Sequence, residues 1–217
     1  QFESLAYNKI SHTQSGVESI LKNTPMHNKT FSYLDDVTNT TKSMKYSQAF
    51  MAAADTSGVS PYHLASRVKQ EVVISPTTMS DSVSGTRSGY TGIYNFYNIG
   101  ATNTTSGSAV NNGLKWASTG NSYLRPWNSR YRSIVGGAIY IGEKYINVGQ
   151  NTSYLQKFNV TEKNRYNHQY MSNIEAPNSE ATKTASAYSA TLNEMTLVFS
   201  IPVYTNMPEE VSPIPTK

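Results

Sequence analysis

The stretch SPYHLASRVKQEVV, Ser60 to Val73, decides the fold. Ser60 followed by Pro61 is typical of a helix N-terminus. A serine side chain can accept a hydrogen bond from a backbone N–H of the first turn, and proline loses nothing at the first helical position, where an N–H would have no partner within the helix. At about 100° per residue, four apolar side chains share one face of this helix, namely Leu64, Ala65, Val68 and Val72. The sequence therefore predicts an amphipathic helix packed against a core.

Glu71 falls in the last turn of this predicted helix. It lies about 20° from Leu64 in projection, at the edge of the apolar face. A carboxylate at such an edge is expected to be partly desolvated, which favours its protonated form and suits a general acid. An ion pair with Arg67, one turn earlier, is the alternative and would favour the ionised form. Spacing alone leaves both interpretations open.

The rest of the chain predicts a mostly helical α+β fold with a small β lobe beside a cleft. Helices are predicted over 16–21, from Tyr46 to a stop at Gly58, over 131–147, and through 153–160 and 166–177. Gly136 and Gly137 cost helix propensity and predict close packing against a neighbour. Extended segments are predicted over 31–37 and 196–204, and residues 75–93 indicate a hairpin or irregular lobe.

Composition excludes several kinds of chemistry. The 217 residues include no cysteine, which removes disulfides, thiol nucleophiles and cysteine zinc sites. The four histidines form no local ligand pair, and the serine-hydrolase elbow and phosphate-binding loops are absent, so we expect no metal and no cofactor. A net charge of +4 with 15% charged residues is not the dense basic field of a nucleic-acid binder. No apolar run approaches the roughly 18 residues of a membrane span.

Several long motifs carry a family resemblance, in the order HLASRVKQEV (63–72), GYTGIYNFYNIGA (89–101), LRPWNSRYRSIVGGAIYIGEKYINVGQNTSYLQKFNV (124–160) and HQYMSNIEAP (168–177). Over roughly Tyr46 to Pro177 the chain resembles the catalytic domain of bacterial endo-β-N-acetylglucosaminidases. These are the autolysins of glycoside hydrolase family 73, and the resemblance is to the clostridial type. The segment FSIPVYTNMP (199–208) also matches.

The resemblance implies a lysozyme-like fold and cleavage of the β-1,4 bond between N-acetylglucosamine and N-acetylmuramic acid in peptidoglycan. Glu71 matches the family's catalytic glutamate in an ASRxxQE motif, and Tyr131 is expected to place the acetamido group or stabilise the oxocarbenium-like state. Cleft-lining, substrate-binding positions of the family's YNFxNIG and PWxSxY segments match further residues, namely Tyr94, Asn95, Phe96, Asn98 and Trp127.

The second catalytic group is less well defined by the resemblance. Some relatives place another acid in the β lobe, and Asp81 is the sole carboxylate between Glu71 and Glu143. A pair of carboxylates must lie about 5–5.5 Å or about 6.5–9.5 Å apart to act together. The alternatives to Asp81 are the substrate's own 2-acetamido oxygen and a water held by tyrosine and asparagine.

The resemblance also sets expectations for organisation and setting. We expect an N-terminal extension over 1–45, a catalytic domain over 46–207, and a tail or linker over 208–217. We expect a secreted, wall-associated monomer of a Gram-positive bacterium that acts on peptidoglycan glycan strands, with no nucleic acid and no membrane insertion. The alternatives are a lytic transglycosylase or muramidase on a related fold, and a non-catalytic wall-binding module.

Overall fold

A computed structural model describes residues 1–105, 107–163, 165–169, 173–188, 194–210 and 213. Its helices are α1 (Gln14–Leu21), α2 (Tyr46–Ser57), α3 (Pro61–Val72), α4 (Ala109–Ser118), α5 (Arg130–Lys144), α6 (Ser153–Lys157) and α7 (Ala176–Tyr188). Two antiparallel pairs join β1 (Thr30–Asp35) to β2 (Thr40–Lys45) and β3 (Val73–Ser75) to β4 (Thr78–Met79). The predicted mostly helical α+β fold with a small β lobe is confirmed.

Helix α3 lies at the centre of the helical layer. It begins as predicted, since Ser60 Oγ accepts a hydrogen bond from the His63 N–H and Pro61 takes the first helical position. Its predicted apolar face is at most 1% exposed and packs against α1, α2 and α7. The core therefore fixes α3 along its length, while Gln70 and Glu71 in its last turn are exposed.

Helices α2 and α5 pack along each other beside α3. Helix α2 ends at the predicted stop, because Gly58 adopts a left-handed φ of 73°. In α5, a Cβ on Gly137 would come within 2.2 Å of the Tyr97 ring. This confirms the predicted close packing and brings the loop that carries Tyr97 directly onto α5.

Residues 1–45 share this core. Phe31 and Tyr33 of β1 are buried, and the Tyr33 ring stacks on Tyr131 of α5 with centroids 4.5 Å apart. An ion pair between Asp36, in the turn after β1, and Arg132 adds a second contact between the hairpin and α5. The β1–β2 hairpin is therefore docked on the first turn of α5.

The C-terminal part differs from the prediction. The strand expected over 196–204 is reduced to one antiparallel bridge between Phe199 and Glu3, flanked by backbone hydrogen bonds from Ser4 to Val198 and from Ser200 to Phe2. The described residues of 166–175 form turns, not a helix. Positions 170–172 lie outside the described residues. Helices α4 and α7 were not predicted, and α7 has weak apolar periodicity in APNSEATKTASAY.

Within the described ranges, no helix combines the length and apolar character that a membrane crossing requires.

Replacing Lys69 with methionine is predicted to destabilise the fold. The Lys69 ammonium donates to the carbonyls of Ile20 at 2.9 Å and Ala187 at 3.2 Å, near the C-terminal ends of α1 and α7. Methionine keeps the apolar stem but leaves these carbonyls unpaired, at a cost of about 2 kcal/mol in the free energy of unfolding. Urea denaturation measures it, with the exposed Lys29→Met as the matched control. Equal midpoints for both variants would contradict this account.

His12 is predicted to make stability depend on pH. It is 2% exposed, its Nδ1 accepts the Asn8 N–H at 3.1 Å, and burial lowers its pKa from 6.5 to about 4. On acidification, His12 therefore binds a proton at a higher pH in the unfolded chain than in the folded one. The stability that neutral His12 contributes is lost as the pH falls from about 6.5 to about 4.

The measurement is the unfolding free energy of the wild type and His12→Gln between pH 4 and 7. The two proteins must be compared with each other because burial also raises the pKa of Glu3 to about 7. In both proteins Glu3 therefore makes stability increase as the pH falls, which is the opposite of the effect of His12. We expect the wild type to lose stability relative to His12→Gln on acidification, by a few kcal/mol at most. Parallel curves would contradict the prediction.

Candidate active site

Glu71 lies where two cavities meet. One cavity, of about 440 Å³, is lined by α3, α5, α6 and α7, and we name it the α7 cavity. The other, of about 430 Å³, is lined by α3, the loop 97–101 and the start of α4, and we name it the loop cavity. Arg67, Glu71 and Tyr140 line both cavities. Glu71 therefore borders both cavities and is accessible to a ligand in either of them.

The carboxylate of Glu71 is held by Asn98. The Asn98 side-chain amide donates to the Glu71 backbone carbonyl at 2.9 Å and to Glu71 Oε2 at 3.2 Å. Asn98 adopts a left-handed φ of 49°, a conformation that asparagine tolerates better than most residues. One amide group thus fixes the loop to the end of α3 and leaves Oε1 as the second oxygen of the carboxylate.

The expected desolvation of Glu71 is wrong, because its side chain is exposed. Helical projection placed Glu71 correctly at the edge of the apolar face. However, α3 ends at Val72, and the elements around α3 leave this last turn open to solvent at Glu71. The alternative ion pair is not formed either. Among the ion pairs of the described residues, none joins Glu71 to Arg67.

The expected ligand contacts of Asn95, Phe96 and Trp127 are also corrected, since all three are 0% exposed. The Asn95 amide donates to the carbonyls of Ile99 at 2.9 Å and Gly113 at 3.0 Å. The Trp127 indole N–H donates to the Tyr123 carbonyl at 2.7 Å. Their side chains have no surface to offer a ligand, and Asn95 holds the loop that presents Asn98.

Tyr94 and Tyr131 line neither cavity. Tyr94 is partly buried, and its ring lies 4.8 Å below the Arg130 guanidinium. Tyr131 stacks on Tyr33 and precedes Tyr140 by nine residues of α5, about 13 Å along the helix axis. The structure therefore does not bring Tyr131 to Glu71. The aromatic residue of α5 beside Glu71 is Tyr140, which sequence reasoning missed.

Asp81 is likewise separate from both cavities. It is exposed, and its Oδ2 lies 3.0 Å from Arg87 Nη1. Arg87 Nε in turn donates to Asn111 of α4 at 3.1 Å. Asp81 thus belongs to a polar link between the small lobe and α4, while its neighbour Ser80 reaches the loop cavity.

The electrostatics of the α7 cavity are set by basic side chains. Arg67, Lys144 and Lys157 line it, and the buried Arg67 Nε has no hydrogen-bond partner among the described residues. Burial, together with the charge of Arg67, lowers the pKa of His63 to about 3, so this imidazole is neutral. Within the described ranges, no three histidine, aspartate or glutamate side chains gather as metal ligands.

No protein-family model matches the chain. The bifunctional autolysin of Staphylococcus epidermidis is 32% identical over 111 residues, which are 51% of this chain and 8% of that protein. The matched stretch therefore spans less than a tenth of the length of this curated relative.

Solved structures share the fold. The major bifunctional autolysin superposes with a TM-score of 0.62 at 22% identity, covering 94% of this chain and 73% of that one. Glucosaminidase B of S. aureus gives 0.57 at 23% identity, with coverages of 86% and 63%. Autolysin E of S. aureus, crystallised with the muropeptide NAM-L-Ala-D-iGlu, gives 0.52 at 21% identity, with coverages of 94% and 80%. The resemblance to autolysins drawn from the sequence is thus confirmed: half of the chain is similar in sequence to a staphylococcal autolysin, and the chain has the fold of solved autolysin structures.

Proposed function

We propose that this chain is an endo-β-N-acetylglucosaminidase of the bacterial cell wall. It hydrolyses the β-1,4 bond between N-acetylglucosamine and N-acetylmuramic acid, with Glu71 as the general acid. The observation that carries the proposal is the position of Glu71, fixed by Asn98 at the junction of two cavities. Relationship to autolysins and a fold shared with glucosaminidase B support it.

In the proposed complex the glycan strand lies across both cavities, with one sugar of the scissile bond on each side of Glu71. Each cavity has the size of a small-molecule site. The Asn98 amide engages Oε2, so the proton leaves from Oε1 to the glycosidic oxygen. Sugar rings that cover the exposed carboxyl would exclude water from the point of proton transfer.

The nucleophile in this proposal is the 2-acetamido oxygen of the substrate. Among the described residues that line the cavities, the carboxylates are Glu71 and Glu180. Glu180 is ion-paired with Lys183 at 3.0 Å, and Asp81 is engaged with Arg87. Attack of the acetamido oxygen on the anomeric carbon expels the leaving oxygen as Glu71 protonates it. Water then opens the cyclic intermediate and returns a proton to Glu71.

The proposal places the substrate outside the cell. The muropeptide in the autolysin E crystals is a fragment of peptidoglycan, and it supports peptidoglycan strands as the polymer for this chain. Relatives in staphylococci support a Gram-positive wall as the setting. A muramidase or a lytic transglycosylase would act on the other glycosidic bond of the strand, and a wall-binding module would release no sugar.

Replacing Glu71 with glutamine is predicted to abolish most hydrolysis, by about 100-fold or more, because glutamine cannot donate the proton. Borohydride-reduced peptidoglycan digests are analysed by mass spectrometry. The wild type is expected to give muropeptides that end in glucosaminitol. Glu162→Gln, an exposed carboxylate away from both cavities, is the matched control and should keep full activity. Undiminished release by Glu71→Gln would overturn the assignment of Glu71. Muramitol or 1,6-anhydromuramic ends would overturn the bond specificity.

Replacing Asn98 with glycine is predicted to lower kcat by about tenfold or more, because the carboxylate loses its anchor. Glycine accepts the left-handed backbone at position 98 without strain, so the fold should persist. Asn98→Asp tests the donor separately, since it keeps the shape and removes the amide N–H. The readouts are steady-state rates on soluble glycan strands and the unfolding free energy. Rates within twofold of the wild type would show that Glu71 does not depend on Asn98.

A further inference from the structure

We infer that Arg67 acts through Glu71, because its guanidinium stabilises the negative charge that Glu71 gains when it releases its proton. The inference rests on the proposed function and adds to it a second group for the same proton transfer. It follows from the position of Arg67 in the site, from the absence of an ion-pair partner among the described residues, and from the neutral character of its other neighbours.

Arg67 and Glu71 lie on the same side of α3. They are four residues apart in the helix, a spacing that places their Cβ atoms about 5–6 Å from each other. Both side chains line the α7 cavity and the loop cavity. Among the described lining residues, Lys144 and Lys157 belong to the α7 cavity alone. Arg67 is therefore the cationic residue that borders both cavities together with Glu71.

Arg67 is not paired with an anion in the part of the chain that the structure describes. Its buried Nε has no hydrogen-bond partner there, and none of the ion pairs between described residues includes it. Arg87 and Arg132, by contrast, are paired with carboxylates. A guanidinium stays charged and offers five N–H donors, and a buried donor without an acceptor costs free energy. Arg67 can therefore serve an anion that forms during the reaction.

Two titratable neighbours of Arg67 are neutral. Burial, with the charge of Arg67 as the smaller cause, lowers the pKa of His63 to about 3 and keeps this imidazole uncharged. Burial also raises the pKa of the Tyr97 phenol well above its usual value, although the charge of Arg67 acts in the opposite direction. The Tyr97 hydroxyl therefore keeps its proton, and neither residue competes with Glu71 for the guanidinium.

The remaining groups of the two cavities leave Glu71 as the carboxylate that Arg67 can serve. Glu180 lines the α7 cavity but is ion-paired with Lys183 at 3.0 Å. The other titratable residues of the described lining are lysines and tyrosines, residue types that carry no negative charge near neutral pH, namely Tyr140, Lys144, Tyr145 and Lys157.

The proposed reaction creates a negative charge at Glu71. The O–H bond of its carboxyl breaks as the proton passes to the glycosidic oxygen, and the carboxylate keeps the electron pair of that bond. The positive charge that develops on the anomeric carbon is met by the 2-acetamido oxygen of the substrate, whereas the charge on Glu71 is covered by sugar rings. A fixed cation one helical turn away stabilises this charge more in the transition state than before proton transfer, when the carboxyl is neutral.

Replacing Arg67 with methionine is predicted to lower kcat by about tenfold and to leave KM within about twofold, because the charge acts mainly on the transition state. Arg67→Gln is a second neutral variant, and Arg67→Lys keeps the charge and should restore most of the rate. Steady-state rates on soluble glycan strands measure these effects, and urea midpoints check the fold of each variant. Arg165→Met is the matched control, since it removes the same charge from an exposed site that lines neither cavity.

The dependence of kcat on pH separates this role from a structural one. Without the cation the carboxylate form of Glu71 is less favourable in the complex, so the alkaline fall in kcat should move to higher pH by about one unit in Arg67→Met. The profile of Arg67→Lys should stay close to that of the wild type. A variant that only loosens the fold would lower the rate without moving the profile.

The inference is overturned if both neutral variants keep the wild-type kcat, or if their kcat falls while the alkaline limb stays in place. A raised KM with unchanged kcat also overturns it, because Arg67 would then hold the ligand instead. Full rates in both neutral variants of an enzyme that needs Glu71 leave the proposed function standing. Activity that survives Glu71→Gln overturns the proposed function, and with it this role of Arg67.

Discussion

The pair of hydrogen bonds from Asn98 to Glu71 is the contact on which the site depends. One end of it is the last turn of α3, and the other is an irregular loop held by buried side chains. Neither end is rigid by itself, because a helix terminus frays and a loop has many conformations. Much of the surrounding structure fixes these two ends relative to each other.

The helix end is fixed by burial. The apolar face of α3 is inserted among α1, α2 and α7, and Lys69, in its last turn, ties carbonyls near the ends of α1 and α7 to it. The loop end is fixed by Asn95, which satisfies the backbone of Ile99 and Gly113, and by Tyr97 on Gly137. Exposure of Glu71 thus coexists with a well-defined position, which is what the proposed role as proton donor to a polymer requires.

The sequence predicted the helices whose apolar periodicity is strong, with the caps at Ser60 and Gly58. It did not predict α7, whose few apolar positions are scattered. It predicted a strand over 196–204 from local alternation, which does not reveal whether a partner strand is present, and the structure pairs this segment through one bridge to Glu3. In the site, a match to a family motif did not distinguish side chains that are accessible to a ligand from buried side chains that support them. Asn98 reaches Glu71, while Asn95 and Phe96 in the same segment are buried supports. Tyr140 was missed because its place beside Glu71, across the cavities that both residues line, is a tertiary feature.

The central claim is that a glycan strand crosses from one cavity to the other with its scissile bond at Glu71. The most direct measurement is a crystal structure of Glu71→Gln with a tetrasaccharide of alternating N-acetylglucosamine and N-acetylmuramic acid. The account predicts sugar rings in both cavities and a glycosidic oxygen within hydrogen-bonding distance of the residue 71 side chain. A strand confined to one cavity, or one whose glycosidic oxygens all lie away from residue 71, would contradict it.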